Sequence, residues 1–286
     1  MIVMEQCGKG LVVEPYMPSI ILAGGLISKL GSSDQKNSII PEIISGDRRY
    51  VFAYAEPQSR FDLFDVKCSA TLDGDNYIIN GFKSVVFGAG MATHLIISAR
   101  TEGDQRSKTG ITLFLVDIKS DGITLQNYPT IDEYRASEVV IENLSVSKEN
   151  ILGELGNSYE AIEEQVDLST IAICSEAVGI LQVLKDSTND YCKNRKQFGQ
   201  PIGANQAIQH RLVDMMIEYE QAKSILYMAI TADLGNPDER RKAASAAKAR
   251  IGKAIKFVGE NAIQLHGGMG VVDEYMISHF FKRATM

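Results

Sequence analysis

The sequence predicts an α+β multidomain protein: N-terminal helices, a middle antiparallel β domain or barrel, and a C-terminal helical bundle. Three observations predict it. Before about Gly46, apolar residues recur at spacings of three and four. Between about Tyr50 and Ile151 they fall into short period-two or continuous runs, closely spaced and separated by turn residues, which excludes intervening helices. After Gly153-Glu154-Leu155-Gly156 the helical spacing returns and persists. The expected segments are 1–49, 50–152 and 153–286.

In the first segment, Ile20-Ile21-Leu22 and Leu26-Ile27-Leu30 carry the helical spacing. Ser33 with Lys36 and the run to Ile44 read as another short helix, closed by Pro41 and Gly46. The middle segment reads as strands at Val51–Tyr54, Ser69–Leu72, Tyr77–Ile79, Ser84–Phe87, His94–Ala99, Ile111–Val116 and Val139–Ile141. Turns at Asp73-Gly74-Asp75-Asn76, Gly88-Ala89-Gly90 and Asp121-Gly122 separate them. In the last segment, Asn157 and Glu160 have capping-box spacing for a helix running to about Cys192, and a second helix occupies about Ala204 to Leu234. A third opens at Asn236-Pro237-Asp238-Glu239, an N-cap followed by proline and acidic residues. Its stripe of Ala244, Ala247, Ile251, Ile255, Val258, Ala262 and Leu265 suits a bundle.

Composition narrows the function classes. The chain has 286 residues, 45% of them hydrophobic and 23% charged, with a net charge of −7. That is enough apolar material for a sizeable core, and it disfavours binding to nucleic acid or to an anionic membrane, which draws on a basic surplus. The apolar stretch around Pro18 to Leu30 is short and interrupted, and Met1–Gly10 lacks the features of a signal peptide, so a cytoplasmic protein is expected. Cys7, Cys68, Cys174 and Cys192 share no metal spacing and read as free thiols, and none of the histidines His94, His210, His266 and His279 has a partner at metal spacing. No metal site is expected.

Nucleotide-binding and hydrolase motifs fail. Gly88-Ala89-Gly90-Met91-Ala92-Thr93 lacks the third glycine of a dinucleotide fingerprint, there is no Walker A sequence, and no G-x-S-x-G elbow accompanies the glycines after His266. Glu176, among Cys174, Ala177 and Val178 on a helix, has the setting of a buried base, with a paired helix carboxylate as the structural alternative. Two segments offer ligand chemistry. Arg195-Lys196-Gln197-Phe198-Gly199-Gln200-Pro201-Ile202-Gly203, followed by Gln206-Ala207-Ile208-Gln209, joins two long helices through a guanidinium, an aromatic ring and glycine freedom. Gln264-Leu265-His266-Gly267-Gly268-Met269-Gly270 ends a helix in glycines that let a ligand approach the backbone.

These two segments, in this order and flanking a long helix, resemble the acyl-CoA dehydrogenase family of flavoenzymes. The likeness continues through Gly31-Ser32-Ser33-Asp34-Gln35-Lys36 with Ile44-Ser45-Gly46, Ala55-Glu56-Pro57, and Ile79-Asn80-Gly81-Phe82-Lys83, and covers essentially the whole chain. The resemblance implies the acyl-CoA dehydrogenase fold and FAD held between the β domain and the bundle, partly by a neighbouring subunit. By position, Arg195 meets the pyrophosphate, with Phe198, Asn205 and Gln206 beside the cofactor. Gln264, Leu265, His266, Gly267 and Gly268 meet the adenosine side. Tyr54, Ala55 and Glu56, with Val85, Val86 and Phe87, border the flavin ring. Phe61, Asp167, Arg60 and Arg135 are the candidates on the substrate side. The implied reaction is α,β-dehydrogenation of an acyl-CoA, a dicarboxylyl-CoA among the possible substrates. A carboxylate takes the α-proton, the β-hydrogen leaves as hydride, and electron-transfer flavoprotein receives the electrons. A homo- or hetero-oligomer, expected as a dimer of dimers, is implied as well.

The chain departs from the family pattern at defined places. The usual Thr-Glu-Pro followed by Gly-Ser-Asp is here Ala55-Glu56-Pro57 and then Arg60-Phe61-Asp62, so a hydroxyl near the flavin and a serine near CoA are absent. The family's Trp and Thr at the flavin face correspond to Val85 and Phe87, and Asp167-Leu168-Ser169-Thr170 holds no arginine for CoA. In most members the catalytic glutamate corresponds to a position shortly beyond Met286, and Met1 to a position inside a helix, so truncation at both ends is expected. The base is then unknown within the chain, Glu176 being the remaining candidate. Two function classes follow: a catalytic acyl-CoA dehydrogenase, or a non-catalytic supporting subunit of a heteromeric one.

Overall fold

The computed structural model describes residues 1–286, and its contacts group the chain into two compact units, 14–169 and 1–13 with 170–286. The 14–169 unit opens with a π-helical stretch, Tyr16–Ala23, continued by α2 (Gly24–Leu30) and then α3 (Ser33–Ser45). The α3 N-terminus is a capping box formed one residue earlier than the expected pair: the Gln35 amide donates to Ser32 Oγ, and Ser32 N donates to Gln35 Oε1. Gln35 then uses its own side-chain amide to reach the Ile151 carbonyl at 3.0 Å, which ties α3 to the sheet. Pro41 lies inside α3, which ends instead at Gly46 with φ 84, a left-handed position suited to glycine.

The sheet holds eight strands: β1 (Tyr50–Ala53), β2 (Ser69–Asp73), β3 (Asn76–Phe87), β4 (His94–Arg100), β5 (Ile111–Asp117), β6 (Ile123–Pro129), β7 (Arg135–Ser147) and β8 (Ile151–Leu152). Their order is the open path β6-β7-β3-β2-β4-β5-β8, with β1 on β4. Pairing is antiparallel except at β4, which takes β1 along His94–Ile97 and β2 at Arg100, both parallel. The expected all-antiparallel arrangement fails there because β1 and β4 are partnered across a long connection and not through a hairpin. The runs 77–79 and 84–87 are two parts of the single strand β3. Its inward residues, with Leu95, Ile97, Leu113, Phe114, Val139 and Ile141, form the core of this unit.

The other unit is helical. Its core joins α4 (Tyr159–Asn194), which begins in the first unit, with α5 (Gln206–Thr231), α6 (Pro237–His266) and α7 (Met276–Thr285). The capping box expected at Asn157 does not form, because the Asn157 side chain donates to Glu154 instead. The cap expected at Asn236 does: Asn236 Oδ1 accepts from Asp238 N and Glu239 N, with Pro237 at the first helical position. Of the expected stripe, Ala244, Ala247, Ile251, Ile255, Val258 and Ala262 are buried and Leu265 is half-buried. Helix α4 is long and apolar enough, by length and composition, to cross a membrane. Its residues Ile171, Cys174, Val178, Leu181 and Leu184 are core residues packed with those of α5 and α6.

The N-terminal residues are divided between the units, since α1 (Ile2–Gly10) packs on α4. Two glycines permit this closeness: a Cβ at Gly8 would stand 2.1 Å from the Glu176 carbonyl oxygen, and one at Gly179 would stand 2.1 Å from that of Glu5.

Candidate active site

Two clusters gather the expected site residues, one in each unit. The first is built on the ends of β1 and β3. Past Ala53 the chain leaves the sheet through Tyr54 and Ala55, and the Ala55 carbonyl accepts Ser84 N at 2.9 Å, so 54–55 lies alongside 84–85. Beneath this join is an ion pair excluded from water, Glu56 Oε1 to Lys83 Nζ at 2.7 Å, with side-chain exposures of 2% and 0%. Two desolvated charges persist only when their remaining hydrogen-bonding capacity is met. Here Lys83 Nζ also donates to Ser98 Oγ at 3.0 Å, while Glu56 Oε2 accepts from Lys67 N and Gln58 Nε2, each at 2.8 Å. Burial pushes the Glu56 pKa up, but the Lys83 charge and these hydrogen bonds outweigh it and hold the carboxyl below its usual value.

After Lys83 the ladder slips. Lys83 faces Val139 and Val86 faces Ser137, so Ser84 and Val85 together oppose Glu138 in a bulge. Val85 takes φ 52, an outlier for a β-branched residue. The side chains that follow alternate: Val86 is 3% exposed, whereas Val85 at 44% and Phe87 at 40% stand on the outer face. Val85 and Phe87 thus make an apolar ledge alongside 54–55, where the Tyr54 ring packs on core residue Phe52 with centroids 5.0 Å apart. Burial also raises the Tyr54 pKa, so its hydroxyl stays protonated.

The second cluster joins the α4–α5 connection to the end of α6. Strands β9 (Lys196–Gln197) and β10 (Gln200–Pro201) form a hairpin whose turn residues, Phe198 at φ 54 and Gly199 at φ 83, both lie in the left-handed region. That geometry leaves the Phe198 ring fully exposed. The Arg195 side chain is exposed and makes no hydrogen bond or ion pair within the chain. Asn205, at the N-cap of α5, donates its side chain to the Ile202 carbonyl and caps no amide, leaving the first amides of α5, from Gln206 onward, without a side-chain cap. Just before Arg195, Tyr191 packs its ring on that of His266, with centroids 4.3 Å apart, so the two motifs singled out in the sequence are neighbours. Gln264 is exposed and Leu265 half-buried, and at Gly267 and Gly268 the position of a Cβ is open. His266 is buried: Nδ1 donates to the Ala262 carbonyl at 2.8 Å, and Nε2 has no partner. Burial depresses its pKa, against the Ala262 hydrogen bond.

The remaining candidates lie elsewhere. Glu176 is not a free base: it pairs with Arg283 at 3.5 Å, and Arg283 also donates to the Val12 carbonyl. Asp167 is half-buried on α4. Phe61 is almost wholly exposed beside Arg60, a left-handed residue at φ 49, in the loop that Asp62 and Asp65 tie to Arg106. Arg135 is exposed at the start of β7, where its carbonyl accepts Gly88 N. Glu56, expected with Tyr54 and Ala55 at the flavin ring, is sealed against Lys83, to which sequence reasoning assigned no role. The available signal was a lysine in the middle of a buried strand and a glutamate at the end of another, since opposite charges in apolar settings must find each other.

The site chemistry agrees with what comparison finds. Residues 51–144 match the acyl-CoA dehydrogenase middle domain and 159–286 the acyl-CoA dehydrogenase C-terminal domain. Short-chain specific acyl-CoA dehydrogenase of Rattus norvegicus mitochondria is 31% identical over 100% of this chain and 70% of its own length. The chain belongs to the acyl-CoA dehydrogenase family. A subunit of the caffeyl-CoA reductase-Etf complex of Acetobacterium woodii is 30% identical over 91% of this chain and 69% of its own length. The glutaryl-coenzyme A dehydrogenase glutaryl-CoA complex superposes with TM-score 0.91 at 26% identity, covering 99% of this chain and 73% of that one. Acyl-CoA dehydrogenases are FAD-dependent oxidoreductases, and the residues present suit that cofactor. A guanidinium without an internal partner beside open helix amides suits a diphosphate, glycines with open space and an unpartnered buried nitrogen suit a close-lying polar group, and the apolar ledge suits a flat ring.

Proposed function

We propose that this chain is a catalytic subunit of an acyl-CoA dehydrogenase that forms an α,β double bond in a dicarboxylyl-CoA, works in the cytoplasm and hands electrons to electron-transfer flavoprotein. The observation that carries the reading is the ledge: two segments far apart in sequence, 54–55 and 85–87, joined over a buried ion pair into an apolar platform. When bound, FAD supplies a hydride acceptor. On this reading Val85 and Phe87 face one side of its ring and exclude water. Arg195 holds the pyrophosphate with Phe198, Asn205 and Gln206 beside it, and Gln264 to Gly268 border the adenosine. Arg60 or Arg135 is the cation for a distal carboxylate.

The dicarboxylyl substrate is supported by the glutaryl-CoA complex among the structural relatives. A second support is resemblance to the small subunit of pimeloyl-CoA dehydrogenase at Gly10–Tyr16, Gln58-Ser59-Arg60, Gly110–Asp117 and the ending Phe281–Met286. The relative in an Etf complex supports the electron partner and a subunit within a larger assembly, here taken as a dimer of dimers. Four free cysteines suit a reducing compartment. The test is purification of the full chain with its partner. The protein should be yellow with stoichiometric FAD, and Arg195→Ala should lose flavin on gel filtration. A colourless protein whose activity the substitution leaves unaltered overturns the reading.

A supporting, non-catalytic role is the second reading, favoured by the absence of a hydroxyl at Ala55 and Phe87 and by the engagement of Glu176 with Arg283. Turnover that is lost only when a carboxylate of the partner chain is changed to its amide decides for it.

A further inference from the structure

The bulge in β3 has an unusual support. Where Ser84 and Val85 oppose Glu138, the Val85 amide turns from the β7 backbone and points at the Glu138 carboxylate, 3.4 Å from Oε1. The same oxygen accepts the Tyr128 hydroxyl from β6 at 2.8 Å, while Oε2 is buried without a partner. Tyr128 is a dependable donor, since burial and then the Glu138 hydrogen bond push its pKa up to about 12. A side-chain carboxylate therefore replaces the backbone acceptor that a regular ladder would provide, at the one place where a β-branched residue is held at φ 52. The strain of such a conformation persists only where the surroundings over-determine it. Local sequence preference does not account for Val85 there, whereas the carboxylate and its tyrosine do. The consequence lies on the outer face, because the bulge turns Val85 and Phe87 outward together.

Resting on the flavin reading above, we propose that Glu138 is a positioning residue for the flavin ring: held by Tyr128, it fixes the Val85 bulge and so the apolar wall against which the ring lies. It also sets a carboxylate, one oxygen of which lacks a donor, beside that wall. A negative charge there opposes electron gain by the ring, so its removal makes reduction easier.

The test uses the full chain reconstituted with FAD, and measures FAD affinity by fluorescence, the visible absorption bands, and the midpoint potential. Glu138→Gln keeps an acceptor for Tyr128 and Val85, so it should bind FAD within about twofold of the parent but shift the bands and move the potential to a more positive value. Glu138→Ala removes the acceptor and should weaken FAD binding by about tenfold, the scale of one lost hydrogen bond to a charged group. In a Val85→Gly background, where φ 52 is unstrained, the loss caused by Glu138→Ala should shrink to within twofold, since the coupling runs through Val85. Parental affinity, bands and potential in Glu138→Ala overturn the proposal, as does an undiminished loss in the glycine background. If Glu138→Ala does not fold, unaltered bands and potential in both Glu138→Gln and Tyr128→Phe overturn it equally. A parent chain that fails to bind FAD overturns the flavin reading itself. A parent that binds FAD while Glu138 is silent overturns only this role.

Discussion

The ledge at the ends of β1 and β3 and the hairpin-and-helix-end cluster of the helical unit use charge in opposite ways. At the ledge, Glu56 and Lys83 are sealed in and fully hydrogen-bonded. At the hairpin, the Arg195 side chain is exposed and makes no hydrogen bond or ion pair within the chain, and the Phe198 ring stands in the open. A buried charge that is fully partnered makes structure, because its removal strands its partner. An exposed charge without a partner is available to something outside the chain. Damage at the first should therefore register as lost stability, and damage at the second as lost ligand.

The sharpest way to break this contrast is Lys83→Met. It leaves Glu56 buried and uncompensated, so urea denaturation should show a loss of about 3–5 kcal/mol, with part of it regained in the Lys83→Met, Glu56→Gln double variant. A loss below 1 kcal/mol would mean that the pair is not the base of the ledge. The acid limb of stability tests the same pair. The Glu56 pKa is lowered in the folded state, so its contribution is present above the unfolded value and is lost as the pH falls below about 4.3 and on through the folded value. The urea midpoint should decline with acidification in the parent and less steeply in Glu56→Gln.

A smaller effect is expected from Gly81→Ala, since a Cβ there would lie 2.6 Å from Cys68 Sγ and 2.7 Å from its Cα. Overpacking of this kind costs about 1–3 kcal/mol, read as a lower Tm. Asn236→Ala in the helical unit should cost about 1 kcal/mol through the lost cap of α6, and calorimetry would detect it. Arg195→Ala should change stability by no more than about 0.5 kcal/mol while flavin retention falls. If it unfolds the protein and leaves flavin binding intact, the contrast between the two regions is reversed.

Much of this protein was legible because local signals are strong. The cap at Asn236 with Pro237 sits in four consecutive residues, and the Ala244-to-Ala262 stripe repeats within one helix, so neither needs knowledge of the rest of the chain. The motifs around Arg195 and Gln264 were visible for the same reason. Strand β6 escaped notice because it pairs only with β7, and its polar residues Thr124, Gln126 and Asn127 give it little apolar character. The α3 cap lies at Ser32, one residue before the expected Ser33, and the sequence held that signal, since Gln35 stands three residues after Ser32 whereas Lys36 follows Ser33; the reach of Gln35 to Ile151 is the part that only the fold supplies. Glu176 has the setting of a base because its helical neighbours are apolar; the alternative, a paired carboxylate, is what forms, and its partner Arg283 lies more than a hundred residues away, where local sequence does not reveal it.

The sequence by itself determined the alternation of helix and strand, the start of α6 at its Asn236 cap, the buried face of α6, and the family. Tertiary structure alone decided that β1 lies parallel on β4, that Glu56 finds Lys83, that Tyr191 meets His266, and that a carboxylate on β7 props a bulge on β3. The physical reason is range. Periodicity and capping act over a few residues, whereas the acceptor for a buried charge or a strained amide is supplied by whichever strand or helix the completed fold brings beside it.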